Sequence, residues 1–437
     1  TMHRRAWQGL EWFTRFASLF IVLEHSAVLR AEPPAKPRTQ PAETVERVVR
    51  DLSTAYAVRV TDQAAIRDLV FRELAIDDEA FPLTVDIVAC GHKAPQKIAY
   101  FLPGGGTNFQ SSFFSPREDN LSQFFCEQGY LVVGVTPREE SIPADTQDLS
   151  FTQSWGMARH RRDIRSIVQR VQSTLALPYE MLGHSYGASS ALDYASHYSA
   201  ELERVIALDI YSIDPASDPT GIAQAQATYA AHVTLLEQGQ FVDPANAQAG
   251  VFAQLTPEAH MADSGASREA YGVPGNFTND GLIYISLICN AQLPGIHSNL
   301  TGLAGDWPLK QSVFAGTYSF APDPLDDVFA FNYLERSTLT AASAAARSGL
   351  IPLAFARDYW AVVAGHSAYS IDWTAIKTRL VWLNAELAYG AQTFGARAAA
   401  AAGNSHVQVG VIPGYGHGDM LLSRSARKDV WRLLRGK

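Results

Sequence analysis

Hydrophobic and polar positions alternate in two distinct ways from about residue 83 onward. Short apolar runs rich in β-branched residues are separated by longer segments in which apolar residues recur every three or four positions. The first pattern is typical of strands buried on both faces of a parallel sheet, and the second of the helices that connect them. Strands are predicted at residues 83–89, 98–102, 130–135, 179–182, 204–210, 379–383 and 407–412.

The helical pattern is clearest over residues 155–175. Apolar residues such as Ile164 and Val171 fall on one face of this segment, whereas its arginines occupy the remaining, solvated surface. Another helix is predicted directly after Ser185, and a last one over residues 421–434. Together with the strands, these helices predict an α/β fold with a mostly parallel central sheet flanked by helices.

The strand and helix rhythm fails over residues 215–375, where prolines and glycines are frequent. A structureless loop of that length is improbable in a compact domain, so we interpret the segment as an inserted, mainly helical cap. A separate tandem domain is the alternative, but strand patterns resume after the segment. We therefore expect one core in two parts, residues 45–214 and 376–437, preceded by a targeting segment and proline-rich linker at residues 1–44.

The first forty residues have the order of a secretory signal peptide. Three arginines precede an apolar run at residues 16–23, and small residues follow near Ala31. Glu24 and His25 interrupt this pattern, so an amphipathic surface helix is the alternative, and a run of about eight residues is too short to span a bilayer. We expect export to the periplasm or the medium; a cytoplasmic or membrane-associated protein is the alternative.

Composition removes several classes of function. The chain has 437 residues and a formal net charge of −9, which would repel a nucleic-acid backbone, so we expect no nucleic-acid partner. Three scattered cysteines, Cys90, Cys126 and Cys289, lack the spacing of a zinc site, and no metal site is predicted. We expect them to be buried as small apolar side chains, with one disulfide as the alternative in an exported protein.

Ser185 is the strongest candidate for a nucleophile. It lies in the sequence G-H-S-Y-G at residues 183–187, between the predicted strand 179–182 and a predicted helix, which is the setting of a nucleophile elbow. The alternative is a structural turn serine. A similar sequence, G-H-S-A-Y at residues 365–369, lacks both the closing glycine and a preceding strand, so we interpret Ser367 as structural.

A serine nucleophile also needs donors that hold the oxyanion. Three consecutive glycines, Gly104, Gly105 and Gly106, follow the predicted strand 98–102 and would let the backbone approach a substrate. The Tyr186 amide would supply a second donor. A phosphate-binding loop is the rival interpretation, but the lysine and the spaced glycines of such loops are missing.

The base and the acid must come from later in the chain. His417 lies between glycines in the loop after the last predicted strand, where its imidazole can reach the serine. Two carboxylates can orient it: Asp209 at the end of the predicted strand 204–210, and Glu386 just after the predicted strand 379–383. We favour Asp209, and Glu386 is the alternative acid.

These segments resemble the α/β-hydrolase superfamily over most of residues 83–437 outside the cap. Within it, the chain is most similar to the branch of lipases and platelet-activating-factor acetylhydrolases. The likeness rests on F-L-P-G-G-G at residues 101–106, G-H-S-Y-G at 183–187, V-I-A-L-D at 205–209 and W-L-N-A-E at 382–386.

The resemblance implies an α/β-hydrolase fold and a Ser-His-Asp triad with Asp209 as the acid. It assigns the oxyanion donors to the amides of Gly105 and Tyr186, and it implies no metal and no organic cofactor. Two features depart from that branch, because Pro103 stands where a histidine is common and the predicted cap is larger.

The function expected from these features is that of a carboxylic-ester hydrolase, esterase-like or lipase-like, that forms an acyl-enzyme with a hydrophobic ester. An acyltransferase with the same acyl-enzyme is one alternative, and a non-catalytic ligand-binding protein of this fold is another. The expected partner is a small-molecule or lipid-like ester; contact with a lipid surface is left open, and the oligomeric state is not predicted.

Overall fold

The computed structural model describes residues 40–143, 145–243, 262–288 and 313–435. Residues 1–39 of the predicted targeting segment and linker lie outside the described ranges, and so does Cys289.

The described chain begins with a helix, α1 (Gln40–Ala55), which overlaps the end of the predicted linker. The prediction that the linker extends to residue 44 is therefore wrong. Pro41 is compatible with helix here because the amide hydrogens of a first helical turn have no partner within the helix. Further along α1, the side chains of Val45 and Leu52 are buried against the core.

The described residues form thirteen strands, nine of which make one sheet. Their bounds are β1 (Val58–Ile66), β2 (Leu69–Ile76), β3 (Leu83–Cys90), β4 (Lys97–Leu102), β5 (Tyr130–Thr136), β6 (Tyr179–His184), β7 (Arg204–Leu208), β8 (Asp263–Ser267), β9 (Asn276–Thr278), β10 (Gly316–Ser319), β11 (Val328–Phe331), β12 (Arg379–Ala385) and β13 (Val407–Ile412).

The large sheet has the order β1-β2-β3-β5-β4-β6-β7-β12-β13. Strands β1, β2, β3 and β5 pair antiparallel in succession, and every pair from β5 to β13 is parallel. All seven predicted strands are present, and the predicted fold class is confirmed. The carboxyl ends of the parallel strands therefore meet at one edge of the sheet, which is where sites form in such folds.

Strands β1 and β2 were not predicted. They form a hairpin at the edge of the sheet, and most side chains of β1 are exposed or only half-buried. The buried strands were recognised by their apolar runs, which an exposed edge strand lacks. In β1, charged residues such as Arg59 and Asp62 interrupt the apolar pattern.

Twelve α-helices lie in the described residues. After α1 they are α2 (Phe109–Phe113), α3 (Leu121–Cys126), α4 (Met157–Leu175), α5 (Tyr186–Tyr198), α6 (Pro219–Glu237), α7 (Asn279–Ile288), α8 (Arg336–Ala345), α9 (Leu353–Ala364), α10 (Phe394–Ala401), α11 (Asp419–Leu422) and α12 (Ala426–Asp429).

The single helix predicted over residues 421–434 is wrong. The segment is divided into α11, α12 and a 3₁₀ turn at Trp431–Leu434. Ser423 is extended at ψ 137°, and its hydroxyl accepts a hydrogen bond from the Ser425 amide at 3.1 Å. Serine side chains compete with the helical backbone for hydrogen bonds in this way, and the helix ends there.

Helices cover both faces of the sheet, and strand β4 shows how the two halves of the core are divided. Ile98, Tyr100 and Leu102 point to the face covered by α1, α4 and α5, whereas Ala99 and Phe101 point to the face covered by α2 and α3. On this second face a disulfide joins Cys90 to Cys126. The expectation that these two cysteines are unpaired is therefore wrong.

The segment between β7 and β12 forms the cap over the carboxyl edge of the sheet. Its described part contains helices α6 to α9 and, in addition, two small antiparallel pairs, β8–β9 and β10–β11, which were not predicted. Tyr318, Phe320, Phe329 and Phe331 pack into an apolar cluster within the cap. In the described part of the chain, no helix has the length and apolar character needed to cross a bilayer.

Candidate active site

Ser185 occupies a strained turn between β6 and α5. Its backbone adopts φ 56° and ψ −127°, a region that residues with a side chain rarely enter, and its amide donates to the Leu208 carbonyl at 3.0 Å. The two glycines of the turn are sterically required. A Cβ on Gly183 would lie 2.1 Å from the Gly187 oxygen, and a Cβ on Gly187 would lie 2.1 Å from the Leu102 oxygen. The turn thus holds Ser185 at the carboxyl edge of the sheet, as the sequence predicted.

His417 and Asp209 lie side by side at the same edge. The distance from His417 Nδ1 to Asp209 Oδ2 is 2.5 Å. Asp209 is fully buried at the end of β7, where its other carboxylate oxygen accepts a hydrogen bond from the Ala385 amide at 2.7 Å. Its backbone also has a positive φ of 48°, so a second strained residue stands beside the first.

Glu386, the alternative acid, is placed differently. Its carboxylate is exposed and accepts a hydrogen bond from the Gly414 amide at 2.8 Å, at the start of the loop that carries His417. Of the two carboxylates proposed from the sequence, Asp209 is thus the one hydrogen-bonded to the imidazole. Glu386 instead fixes one end of the loop.

The backbone around His417 is held in place by three further hydrogen bonds. His184 Nε2 donates to the His417 carbonyl at 3.0 Å, Gly418 N donates to the Val313 carbonyl at 2.7 Å, and Gly416 N donates to Asp419 Oδ2 at 2.9 Å. Burial and the neighbouring His417 lower the pKa of the His184 imidazole well below its usual value. His184 is therefore neutral near pH 7, and its single N–H is fixed on Nε2 by the carbonyl that accepts from it.

The glycine run after β4 lies directly against the serine turn. A Cβ on Gly104 would lie 3.1 Å from the Ser185 Cβ, and one on Gly105 would lie 2.6 Å from the Tyr186 ring. Gly106 adopts a positive φ of 67°, and a Cβ there would lie 2.8 Å from a backbone oxygen of the cap. Gly105 and Gly106 therefore permit a close approach that a side chain would obstruct, and a side chain at Gly104 would be tight against Ser185.

These parts surround a single cavity of about 200 Å³. Ser185, His417, His184 and all three glycines line it, and the cap closes its other side. Its walls are chiefly apolar, with contributions from Leu287, Val313, Phe314, Leu339, Leu421 and Leu422.

Most of these wall residues were not predicted as part of the site. Of the cap aromatics, Phe314 lines the cavity, whereas Tyr318 and its neighbours form the core of the cap. Arg347, the one charged cap residue among the described lining residues, also lacked a signal in the sequence. Its guanidinium is paired with Glu73 at 2.5 Å and donates to Thr84 Oγ1 at 3.1 Å.

Ser367, the serine of the second G-H-S sequence, lies on the surface after α9 and is not among the residues that line the cavity. No group of three or more histidine, cysteine, aspartate or glutamate side chains that could hold a metal ion occurs in the described ranges.

Solved structures share this architecture. A candidate lipase from Sulfolobus solfataricus is 14% identical to the chain, with a TM-score of 0.52 over 86% of this chain and 97% of that one. The topology and this likeness define the α/β-hydrolase fold. No family model matches the sequence, and the search of curated proteins found no match.

Two further structures align over similar lengths with lower scores. A thermostable carboxyl esterase from Bacillus coagulans in complex with glycerol is 16% identical, covering 83% of this chain and 96% of that one with a TM-score of 0.42. A monoglyceride lipase variant from Saccharomyces cerevisiae in complex with a substrate analogue is 10% identical, covering 87% and 96% with a TM-score of 0.42.

Proposed function

We propose that this protein is a serine hydrolase that cleaves carboxylic esters with a hydrophobic acyl group. The observation that carries the proposal is the convergence of Ser185, the His417–Asp209 pair and the glycine run on one apolar cavity. A serine on a strained turn, a histidine whose Nδ1 faces a buried carboxylate, and closely approaching backbone are the parts that acyl transfer requires.

In the proposed mechanism, Ser185 Oγ attacks the ester carbonyl while His417 Nε2 takes its proton. Asp209 accepts a hydrogen bond from Nδ1, which leaves the Nε2 lone pair available and stabilises the imidazolium once it forms. The oxyanion is held by the amides of Gly105 and Tyr186, with Gly104 and Gly106 shaping the loop around it.

His417, which acted as a base in the first step, then acts as an acid. His417 returns its proton to the departing alcohol, and the acyl group remains bonded to Ser185. A water molecule then loses a proton to Nε2 as it attacks the acyl carbonyl, and the proton passes back to Ser185 as the acid departs. No step in this sequence draws on a metal or an organic cofactor.

The size of the cavity suggests which esters are cleaved. An apolar cavity of roughly 150 Å³ holds one benzene molecule, so a cavity of about 200 Å³ suits an acyl group of roughly four to eight carbons. The sequence segments at residues 101–106, 183–187, 205–209 and 382–386 support a place in the branch of lipases and platelet-activating-factor acetylhydrolases.

A panel of p-nitrophenyl esters from acetate to palmitate tests both the reaction and the substrate. We expect kcat/KM to rise with each added methylene until the cavity is full, by roughly fourfold per step from burial of about 0.8 kcal/mol, and then to fall. The release of p-nitrophenol and of free acid measures it. If no ester of the panel is hydrolysed above the buffer rate, the proposed activity is wrong; an optimum at palmitate would contradict only the proposed size.

We also propose that the protein is exported. The disulfide between Cys90 and Cys126 supports this, because such bonds persist mainly in oxidising compartments. The order of arginines, apolar run and small residues near the amino terminus supports it independently.

A further inference from the structure

The loop that carries His417 is bonded to the cap on both sides of the histidine. Before it, Gly416 N donates to Asp419 Oδ2 at 2.9 Å, and the same oxygen accepts from Ala315 N of the cap at 2.7 Å. After it, Gly418 N donates directly to the Val313 carbonyl at 2.7 Å. A single carboxylate oxygen of Asp419 thus joins the histidine loop to the cap segment 313–315.

Asp419 is unusual in its surroundings. It is fully buried, and its second oxygen, Oδ1, accepts no hydrogen bond in the described part of the chain. Burial raises the pKa of this carboxyl to about 7, against which its two backbone hydrogen bonds act. Burying a carboxyl group that forms no ion pair costs stability. The cost is offset in part by the two backbone amides that Asp419 Oδ2 accepts from, which are the amides that join the histidine loop to the cap.

The cap segment that Asp419 holds is also a wall of the cavity. Val313 and Phe314 line the cavity beside His417. The Phe314 ring lies so close to the histidine loop that a Cβ on Gly418 would lie 2.5 Å from it. Any movement of this wall is therefore passed to the loop through two hydrogen bonds and one ring contact.

Apart from Asp419, the side chains that hydrogen-bond the loop in the described residues do not reach the cap, although the Tyr415 ring stacks on Tyr333 of the cap with 4.7 Å between the ring centroids. Glu386 accepts from Gly414 N, and His184 donates to the His417 carbonyl, but both belong to the sheet and its turns. Asp429 accepts a hydrogen bond from the Tyr415 hydroxyl at 2.9 Å and lies on the opposite side, in α12. Asp419 is thus the side chain that ties the loop to the cavity wall.

We propose that Asp419 is a positioning residue for His417, which sets the imidazole relative to an acyl group held against Phe314. The inference rests on the proposed function and adds a residue to it. Asp419 touches neither substrate nor the reacting atoms; it acts through the backbone on either side of His417.

Three variants test this with the p-nitrophenyl ester that the enzyme cleaves best. Asp419→Ala removes the acceptor, and we expect kcat to fall about 10- to 100-fold, the scale of a misplacement of about 1 Å, with KM changed less than about threefold. Asp419→Asn keeps an oxygen that can accept from both amides, so we expect it to retain kcat within about threefold. The matched control is Asp429→Ala, which removes from α12 the carboxylate that accepts from the Tyr415 hydroxyl of the loop and makes no hydrogen bond to the described part of the cap; we expect wild-type kcat.

All rates are expressed per active site titrated with a fluorophosphonate, so that unfolded protein does not count. If Asp419→Ala does not fold, Asp419→Val, which fills more of the space, carries the same expectation. The inference is overturned if Asp419→Ala and Asp419→Val keep wild-type kcat, or if only their KM changes. It is also overturned if Asp429→Ala or Asp419→Asn lowers kcat as much as Asp419→Ala does. Wild-type protein that cleaves no ester would instead refute the proposed function itself.

Discussion

Replacement of Ser185 by alanine is expected to lower kcat for ester hydrolysis by about 10⁶-fold. The estimate follows from serine hydrolases, in which loss of the nucleophile removes almost all catalysis beyond substrate binding and oxyanion stabilisation. Folding should be preserved, because the strained turn is fixed by Gly183, Gly187 and the amide of residue 185 and not by the hydroxyl. Hydrolysis of a p-nitrophenyl ester by highly purified protein measures the change.

The matched control is Ser367→Ala, which removes the hydroxyl of the second G-H-S sequence. Ser367 is exposed and is not among the residues that line the cavity, so full activity is expected. A Ser185→Ala protein that keeps more than a few per cent of wild-type kcat would exclude Ser185 as the nucleophile.

Asp209→Asn is expected to have the second largest effect, a fall in kcat of about 10⁴-fold. The asparagine amide can donate to Nδ1, which would place the imidazole proton on Nε2 and leave no lone pair facing Ser185. Its geometry should be little changed, since the amide oxygen can still accept from the Ala385 amide. KM should change far less than kcat, because Asp209 does not line the cavity.

Glu386→Gln provides the comparison for this prediction. Its side chain accepts from Gly414 N, and a glutamine oxygen can do the same, so we expect kcat within about threefold of wild type. Should Glu386→Gln be the variant that loses activity while Asp209→Asn keeps it, the assignment of the acid would be reversed.

The central strands could be predicted from the sequence because burial on both faces leaves a continuous apolar run. β5 and β7 are wholly buried, and both were located to within two residues. The β1–β2 hairpin could not be predicted in the same way, since β1 is an exposed edge strand with charged residues, and the apolar run of the buried strand β2 is broken by Arg72 and Glu73. At the carboxyl terminus, one serine side chain divides what periodicity alone presents as a continuous helix.

The site was predictable where its chemistry is local. Ser185 and its glycines form a short motif because steric contact between neighbouring residues requires it. The carboxylate that pairs with His417 could not be settled from strand positions alone, because Asp209 and Glu386 each follow a strand and both reach the loop. The choice depends on which strand end faces Nδ1, and Asp209 lies 208 positions away from His417 in the chain.

The cavity walls and the pairing of Cys90 with Cys126 could not be predicted for a related reason. Leu287, Phe314 and Leu339 come together only when the cap folds over the sheet, and the sequence pattern of each is that of an ordinary core residue. Cys90 and Cys126 are likewise brought together by the packing of α3 against β3. The proposed role of Asp419 gave no signal in the sequence, because a single acidic residue at the start of a short helix is common.

The most direct test of the central claim is the site at which a fluorophosphonate reacts with the folded wild-type protein. The proposed mechanism predicts one adduct, located by mass spectrometry of the digested protein on Ser185, with labelling slowed strongly by Asp209→Asn. A folded protein that forms no adduct, or that carries it on another residue such as Ser367, would contradict the claim that His417 activates Ser185.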